Sequence, residues 1–288
     1  MNHDLTSIWA TGQVQPGRQR GEDYAPSCMA HPAKMWPHIA IEAIRRYSSH
    51  GETVLDPMCG IGTTVIEAVK MGRYGLGVEY EPRWAQAADA SLRRSHMRRR
   101  LAGEIRCADA RFLSTVFPGR SVDLVVTSPP YGAFAHGNPD KGPQGVVKAD
   151  ERYTQPRYHR RAQLATTSQK RIHEGLQAIF AQCHAMLRAG GYMVITARPY
   201  KENGILHDFP SVVIRCALAS GFQLQHRDVA LLARWDGNRL RPHATFFHIH
   251  NSRLNAAAGK PALIRAHEDV LVFQKITAPT TGDPHGTP

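Results

Sequence analysis

Thr53-Val54-Leu55-Asp56-Pro57-Met58-Cys59-Gly60-Ile61-Gly62-Thr63-Thr64 is the stretch that decides the fold. Its first four residues are β-branched or apolar up to an acid, and Pro57 ends the run, so they predict a short buried strand. Gly60 and Gly62 let the chain turn sharply and let a ligand approach the backbone. A helix is predicted from about Thr64 to Met71, with Gly72 as its stop. A strand that turns through glycines into a helix begins a nucleotide-binding unit, with its ligand at the carboxyl end of the strand. Standing alone, the same turn also fits a strand–helix joint with no ligand.

The residues that follow strengthen the ligand reading. Tyr74 to Glu79 predicts a second strand, and its terminal carboxylate stands 23 positions after Asp56. An acid at that place holds ribose hydroxyls in nucleotide-binding sheets. A helix over about Pro82 to Arg94 leads to a third strand, Ile105 to Ala108, which runs into Asp109. Val122 to Thr127 is a fourth strand, Tyr192 to Ala197 a fifth, with an amphipathic helix over about Gln169 to Leu187 between them. Val212 to Ser220 reads as helix, and Phe222 to Leu232 with Val270 to Lys275 as a final strand pair. Alternating strands and helices predict an α/β chain of Rossmann-like type, with a mostly parallel seven-stranded sheet and an antiparallel final pair. No third glycine follows at the dinucleotide spacing, and no lysine follows at the phosphate-loop spacing. The turn therefore suits an adenosine-bearing cofactor without phosphates, with Asp56 facing a positively charged amino group.

Ser128-Pro129-Pro130-Tyr131 follows the fourth strand at once. Two prolines fix the chain and remove two N–H donors, leaving a rigid lip rich in acceptors. The Ser128 hydroxyl and the Pro129 carbonyl can both accept from one –NH2 group, which would aim the nitrogen lone pair at a methyl donor. Tyr131 offers a flat face on which a flipped base could stack. The plain alternative is a Pro-Pro turn that merely ends a strand.

Asp56-Pro-Met-Cys-Gly-Ile-Gly-Thr-Thr together with Thr127-Ser-Pro-Pro-Tyr-Gly resembles the S-adenosylmethionine-dependent amino-methyltransferases of DNA, which make N4-methylcytosine or N6-methyladenine. His31-Pro-Ala-Lys34 and the closing His267-Glu-Asp-Val-Leu-Val-Phe are similar to the same family. The resemblance thus runs from about residue 31 to 275. It implies a class I methyltransferase fold and S-adenosylmethionine as cofactor, without a metal. It places Asp56, Pro57, Met58, Cys59, Gly60, Gly62, Thr63 and Thr64 around the methionine part, Glu79 at the ribose, Asp109 at the adenine amino group, and His31 and Lys34 near the cofactor carboxylate. Ser128, Pro129, Pro130 and Tyr131 match its catalytic motif. Serine at the first catalytic position leans toward cytosine N4, with adenine N6 as the alternative. The family includes enzymes of restriction–modification. It often has an aromatic residue where Met58 stands.

Composition bounds the partners. The chain has 288 residues, 42% of them hydrophobic, and carries 36 Lys and Arg against 24 Asp and Glu, a formal charge of +12. A basic balance suits a polyanion, because cations at phosphates release counterions. From Ala133 to Ile172 eight Lys and Arg face three acids, a net +5 beside the lip. Lys148, Arg152, Arg157, Arg160 and Arg161 are the expected DNA contacts there, with a solvated insertion as the alternative. Arg239 and Arg241 join them from an irregular stretch over 233–266. The cluster Arg93, Arg94, Arg98, Arg99 and Arg100 reads instead as a solvated helix face. The five cysteines are odd in number and form no CxxC pair, which suits a reducing cytoplasm and argues against a disulfide scaffold or a structural zinc site. No run is apolar enough to span a membrane. Sixteen histidines include His243, His248 and His250, which lack a metal-binding helical spacing.

The expected layout is a flexible arm over 1–30, a methyltransferase domain over 31–276 with insertions at 133–168 and 233–266, and a disordered tail over 277–288. Two rival functions remain open. A tRNA guanine-N2 methyltransferase uses a similar lip, and a DNA-binding regulator could keep the fold without turnover.

Overall fold

A computed structural model describes residues 6–31, 33–99, 102–131, 164, 169–202, 205–243, 246–259 and 263–276. In chain order its strands are β1 Ile8–Trp9, β2 Thr53–Asp56, β3 Tyr74–Glu79, β4 Gly103–Cys107, β5 Val122–Thr127, β6 Leu187–Ala197, β7 Tyr200–Glu202, β8 Ile205–His207, β9 Gln223–Leu231, β10 Ala233–Asp236, β11 Arg239–Pro242 and β12 His267–Gln274. The α-helices are α1 Pro16–Arg20, α2 Pro37–Tyr47, α3 Thr63–Lys70, α4 Pro82–Arg99, α5 Leu113–Val116, α6 Gln169–Met186, α7 Phe209–Ala219 and α8 Phe246–Ala257.

The main sheet runs β1-β9-β12-β6-β5-β2-β3-β4. β12 is antiparallel to both neighbours, β6 and β9, and every other neighbouring pair is parallel. This is the Rossmann-like α/β architecture that the strand pattern predicts. It has eight strands rather than seven, because β1 adds to the edge.

Period-two alternation sends successive strand residues to opposite faces. Leu55, Leu76, Val125, Ile195 and Leu271 meet Ile172, Leu176, Phe180 and Cys183 of α6 and Phe209, Val213 and Ala217 of α7 on one side. Val54, Leu124, Val126, Val194, Val270 and Val272 meet Ile39, Ala40, Ala43 and Ile44 of α2 on the other. The helix α2 was not anticipated. Its cues are Pro37 in the first turn and apolar residues at 39, 40, 43 and 44, which line one face.

Two expectations need correction. Within residues 6–30 the expected arm is docked on the sheet and its helices rather than without structure of its own. Ile8 and Trp9 pair with Val229 and Ala230, and Trp9 is buried with its indole N–H donating to Asp228 Oδ2 at 3.1 Å. Tyr24 and Cys28 are also buried, against Ile66 of α3 and Trp84 and Ala87 of α4. One apolar residue every few positions sufficed to dock a polar segment. The stretch 233–266 is not irregular either, since it forms the β10–β11 hairpin and α8. Two-residue alternation across the Gly237 turn was its signal. The basic segment with Lys148, Arg152, Arg157, Arg160 and Arg161 lies outside the described residues, as does the tail over 277–288.

Candidate active site

Because β2, β3, β4 and β5 are parallel, their carboxyl ends share one edge. The chain therefore places Asp56, Glu79, Asp109 and Thr127 side by side there, although they are far apart in sequence.

Asp56 closes β2 and is buried, 3% exposed. Its Oδ1 accepts from the Met58 amide at 3.1 Å and from the Thr127 hydroxyl at 2.8 Å, and the Thr64 hydroxyl also donates to the carboxylate. Burial nevertheless pushes its pKa up to about 6, against the pull of these three donors. Glu79 closes β3. Its Oε2 accepts from the Gly60 amide at 2.9 Å and its Oε1 from the Glu81 amide at 2.8 Å. Burial raises this carboxyl to about 7, with the Glu81 and Asp56 charges adding to the rise.

Between these acids runs the turn. Gly60 and Gly62 have φ of 53° and 79°, the left-handed region that favours glycine. A Cβ on Gly62 would sit 3.1 Å from the Ala88 Cβ, so a side chain there would crowd α4 as well as strain the backbone. Pro57 and Cys59 are buried beside Asp56, and burial holds the Cys59 thiol well above its usual pKa, unsuited to act as a nucleophile. Met58 packs against the core, and Thr63 and Thr64 open α3 fully buried.

His31 lies across this turn. Its Nε2 is 3.5 Å from where a Gly60 Cβ would stand, and its ring meets Trp84 edge-on at 4.6 Å. Lys34 is brought near but engaged otherwise: its ammonium donates to the Met29 carbonyl at 2.9 Å and to the His31 carbonyl, so it pins the segment that carries His31. Asp109 caps the turn after β4 by accepting from the Arg111 amide, and its carboxylate pairs with the Arg111 guanidinium. Burial would raise Asp109, but the Arg111 hydrogen bonds and charge outweigh it and hold the carboxyl below its usual value.

The lip follows β5 without a break. Ser128 and Pro130 are half-buried and Pro129 is buried. A side-chain hydrogen bond links Ser128 to Tyr131. Tyr131 does not offer an open face, which corrects that expectation. It is 7% exposed, with Phe209 edge-on at 4.9 Å and the Arg198 guanidinium 5.2 Å over its ring. Burial, and then the Glu268 charge, push its phenol well up, so it stays neutral.

Thr127 was the site residue missed. It ties the lip to the carboxylate of the turn, so the two motifs form one hydrogen-bonded unit. A buried hydroxyl at a strand end, next to the Pro-Pro pair, was its signal.

A family model described as DNA methylase matches residues 1–90. The match takes in the strap with His31, the turn and Glu79, and stops short of the lip. The chain is 29% identical over 106 residues to the tRNA (guanine(10)-N2)-dimethyltransferase of Methanocaldococcus jannaschii, covering 35% of this chain and 30% of that protein. The chain thus spans less than a third of that relative's length. Among solved structures it superposes on TrmN from Thermus thermophilus with a TM-score of 0.51 at 17% identity, covering 87% of this chain and 52% of the other. At that identity the likeness concerns the fold alone. Among the described residues no helix is long and apolar enough to cross a membrane, and no group of three or more His, Cys, Asp or Glu could hold a metal.

Proposed function

We propose that the chain is an S-adenosylmethionine-dependent methyltransferase of an exocyclic amino group in nucleic acid, and that its substrate is DNA, at cytosine N4. The observation that carries this is the hydrogen bond from Thr127 to Asp56, which couples a cofactor turn to a Ser-Pro-Pro-Tyr lip across the sheet.

The residues fit the cofactor. Asp56 and Glu79 are desolvated acids whose hydrogen-bond partners among the described residues are all neutral. A ligand cation at Asp56 and ribose hydroxyls at Glu79 satisfy them without a phosphate. Bound S-adenosylmethionine supplies an electrophilic methyl group. The rest is positioning by the chain. Ser128 Oγ and the Pro129 carbonyl accept the two N–H bonds of the target amine and turn its lone pair out of ring conjugation. The Ser128–Tyr131 hydrogen bond orients the serine hydroxyl. With Cys59 held protonated and the Tyr131 phenol neutral, no covalent nucleophile is required.

Serine at the head of the lip favours cytosine N4, and adenine N6 offers the same two N–H bonds. A tRNA guanine-N2 substrate is the second reading, favoured by the 29% identity to a tRNA dimethyltransferase. The test compares methyl transfer to unmethylated duplex DNA and to bulk tRNA, by wild type and by Ser128→Ala. Transfer to DNA that falls with Ser128→Ala supports the proposal. Transfer confined to tRNA replaces the substrate, and cofactor binding without transfer to either leaves a regulator.

A further inference from the structure

A second feature of the carboxyl edge lies beyond the lip. A cavity of about 380 Å³ is lined by Gln15, Trp36, Arg234, Arg241, Pro242 and His243. Its size is in the range of small-ligand sites, about 300–1,000 Å³. Three chain segments build it. Gln15 follows β1, and Arg234 and Arg241 stand on the hairpin that follows β9. Trp36 caps the start of α2, whose other end leads back to β2. Since β1, β5 and β9 point the same way, the cavity opens on the edge that carries the lip.

The hairpin is seated on the N-terminal strap at Gly12. A Cβ there would fall 2.3 Å from the Ala233 nitrogen, and His243 Nε2 lies 2.7 Å from the Gly12 carbonyl. This packing sets one face of the hairpin over Trp36, whose ring is 5.6 Å from that of His243.

Arg234 stands directly opposite Arg241. Like charges in that relation destabilise a two-stranded pair. Asp236 pairs with Arg241, but both are half-exposed, which leaves that pair weak and other guanidinium donors to spare. An anion between the two guanidiniums turns the repulsion into a clamp.

We propose that this cavity holds one nucleotide of the DNA strand a few positions from the reacting base, the base lying on Trp36 and its phosphate between Arg234 and Arg241. This rests on the DNA reading above and adds a site to it. From β5 to β9 there are three strand spacings, about 14 Å. That is about four steps of duplex at about 3.4 Å per phosphate on one strand. Aromatic and arginine side chains together are the usual platform for a splayed base. The site contributes to positioning and sequence choice, and takes no part in the chemistry.

The test is fluorescence anisotropy of a labelled DNA duplex across a salt series, with wild type and with Arg234→Gln/Arg241→Gln. Removing both arginines from the one phosphate they clamp is expected to weaken binding at least about tenfold and to flatten the slope of log K against log salt by about 1. Melting temperature should hold or rise, since like charges are removed, so a weaker fold cannot mimic the result. Arg93→Gln, on α4 and paired with Asp89, is expected to bind as wild type does. Unchanged binding in the double variant, or an equal loss in Arg93→Gln, overturns the pocket and leaves the DNA reading standing. A wild type that binds no DNA overturns both. A loss seen with tRNA and not with DNA overturns the occupant assigned here.

Discussion

Thr127→Val removes one hydroxyl and keeps the shape of a fully buried side chain. The lost bond is a 2.8 Å contact to Asp56 Oδ1, leaving the Met58 amide and the Thr64 hydroxyl. A hydrogen bond to a charged group contributes about 1.5–3 kcal/mol net, and one pKa unit corresponds to about 1.4 kcal/mol. Asp56, already pushed up to about 6, should therefore move to about 7 or 8. At neutral pH its ionised fraction falls from about nine-tenths to between about a half and a tenth. If the ionised carboxylate meets the cofactor's amino group, affinity for S-adenosylhomocysteine near pH 7 drops about 2- to 10-fold. The deficit closes as pH rises past the new pKa. Calorimetric titration with S-adenosylhomocysteine from about pH 5 to about pH 9 reads both the drop and its recovery. A variant curve that overlays the wild type refutes the coupling. A loss of the same size at every pH shows that the hydroxyl acts by shape alone.

Three further outcomes follow from the same geometry. Ser128→Ala should lower turnover about 100-fold, the usual cost of one transition-state hydrogen bond, with S-adenosylhomocysteine affinity held within about twofold by titration. Asp56 and Glu79 have folded pKa values raised to about 6 and about 7, so each stabilises the ligand-free fold most below its unfolded pKa and loses that share as pH rises through the folded one. Melting temperature without ligand should thus carry a downward component between about pH 4 and about pH 7, reduced in Asp56→Asn and offset by S-adenosylhomocysteine. Gly12→Ala should cost about 1–3 kcal/mol in urea unfolding, because its Cβ meets the Ala233 backbone, and should weaken DNA binding by displacing the hairpin.

Much of this architecture was legible because the β2 and β3 runs are short, apolar and punctuated by Pro57, Gly60, Gly62 and Gly72. Their strand limits, and those of β5, coincide with the expected ones. Strong local signals also placed the turn, Glu79 and the lip on one edge. What escaped was held by tertiary contacts. The pairing of Ile8 and Trp9 with β9 joins residues more than two hundred positions apart, and no local pattern announces it. Nor does one announce the Arg198 guanidinium over Tyr131, or Arg234 and Arg241 lining one cavity with Trp36. Helix α2 and the β10–β11 hairpin did carry cues, in Pro37 with its apolar stripe and in the alternation around Gly237. Histidines and arginines between those cues obscured them.

The most direct test of the central claim is transfer of an isotope-labelled methyl group from S-adenosylmethionine to unmethylated DNA, followed by nucleoside mass spectrometry of the digest. Labelled N4-methylcytosine, lost in Ser128→Ala, is the expected product. Label absent from DNA and found only in tRNA or protein contradicts the claim.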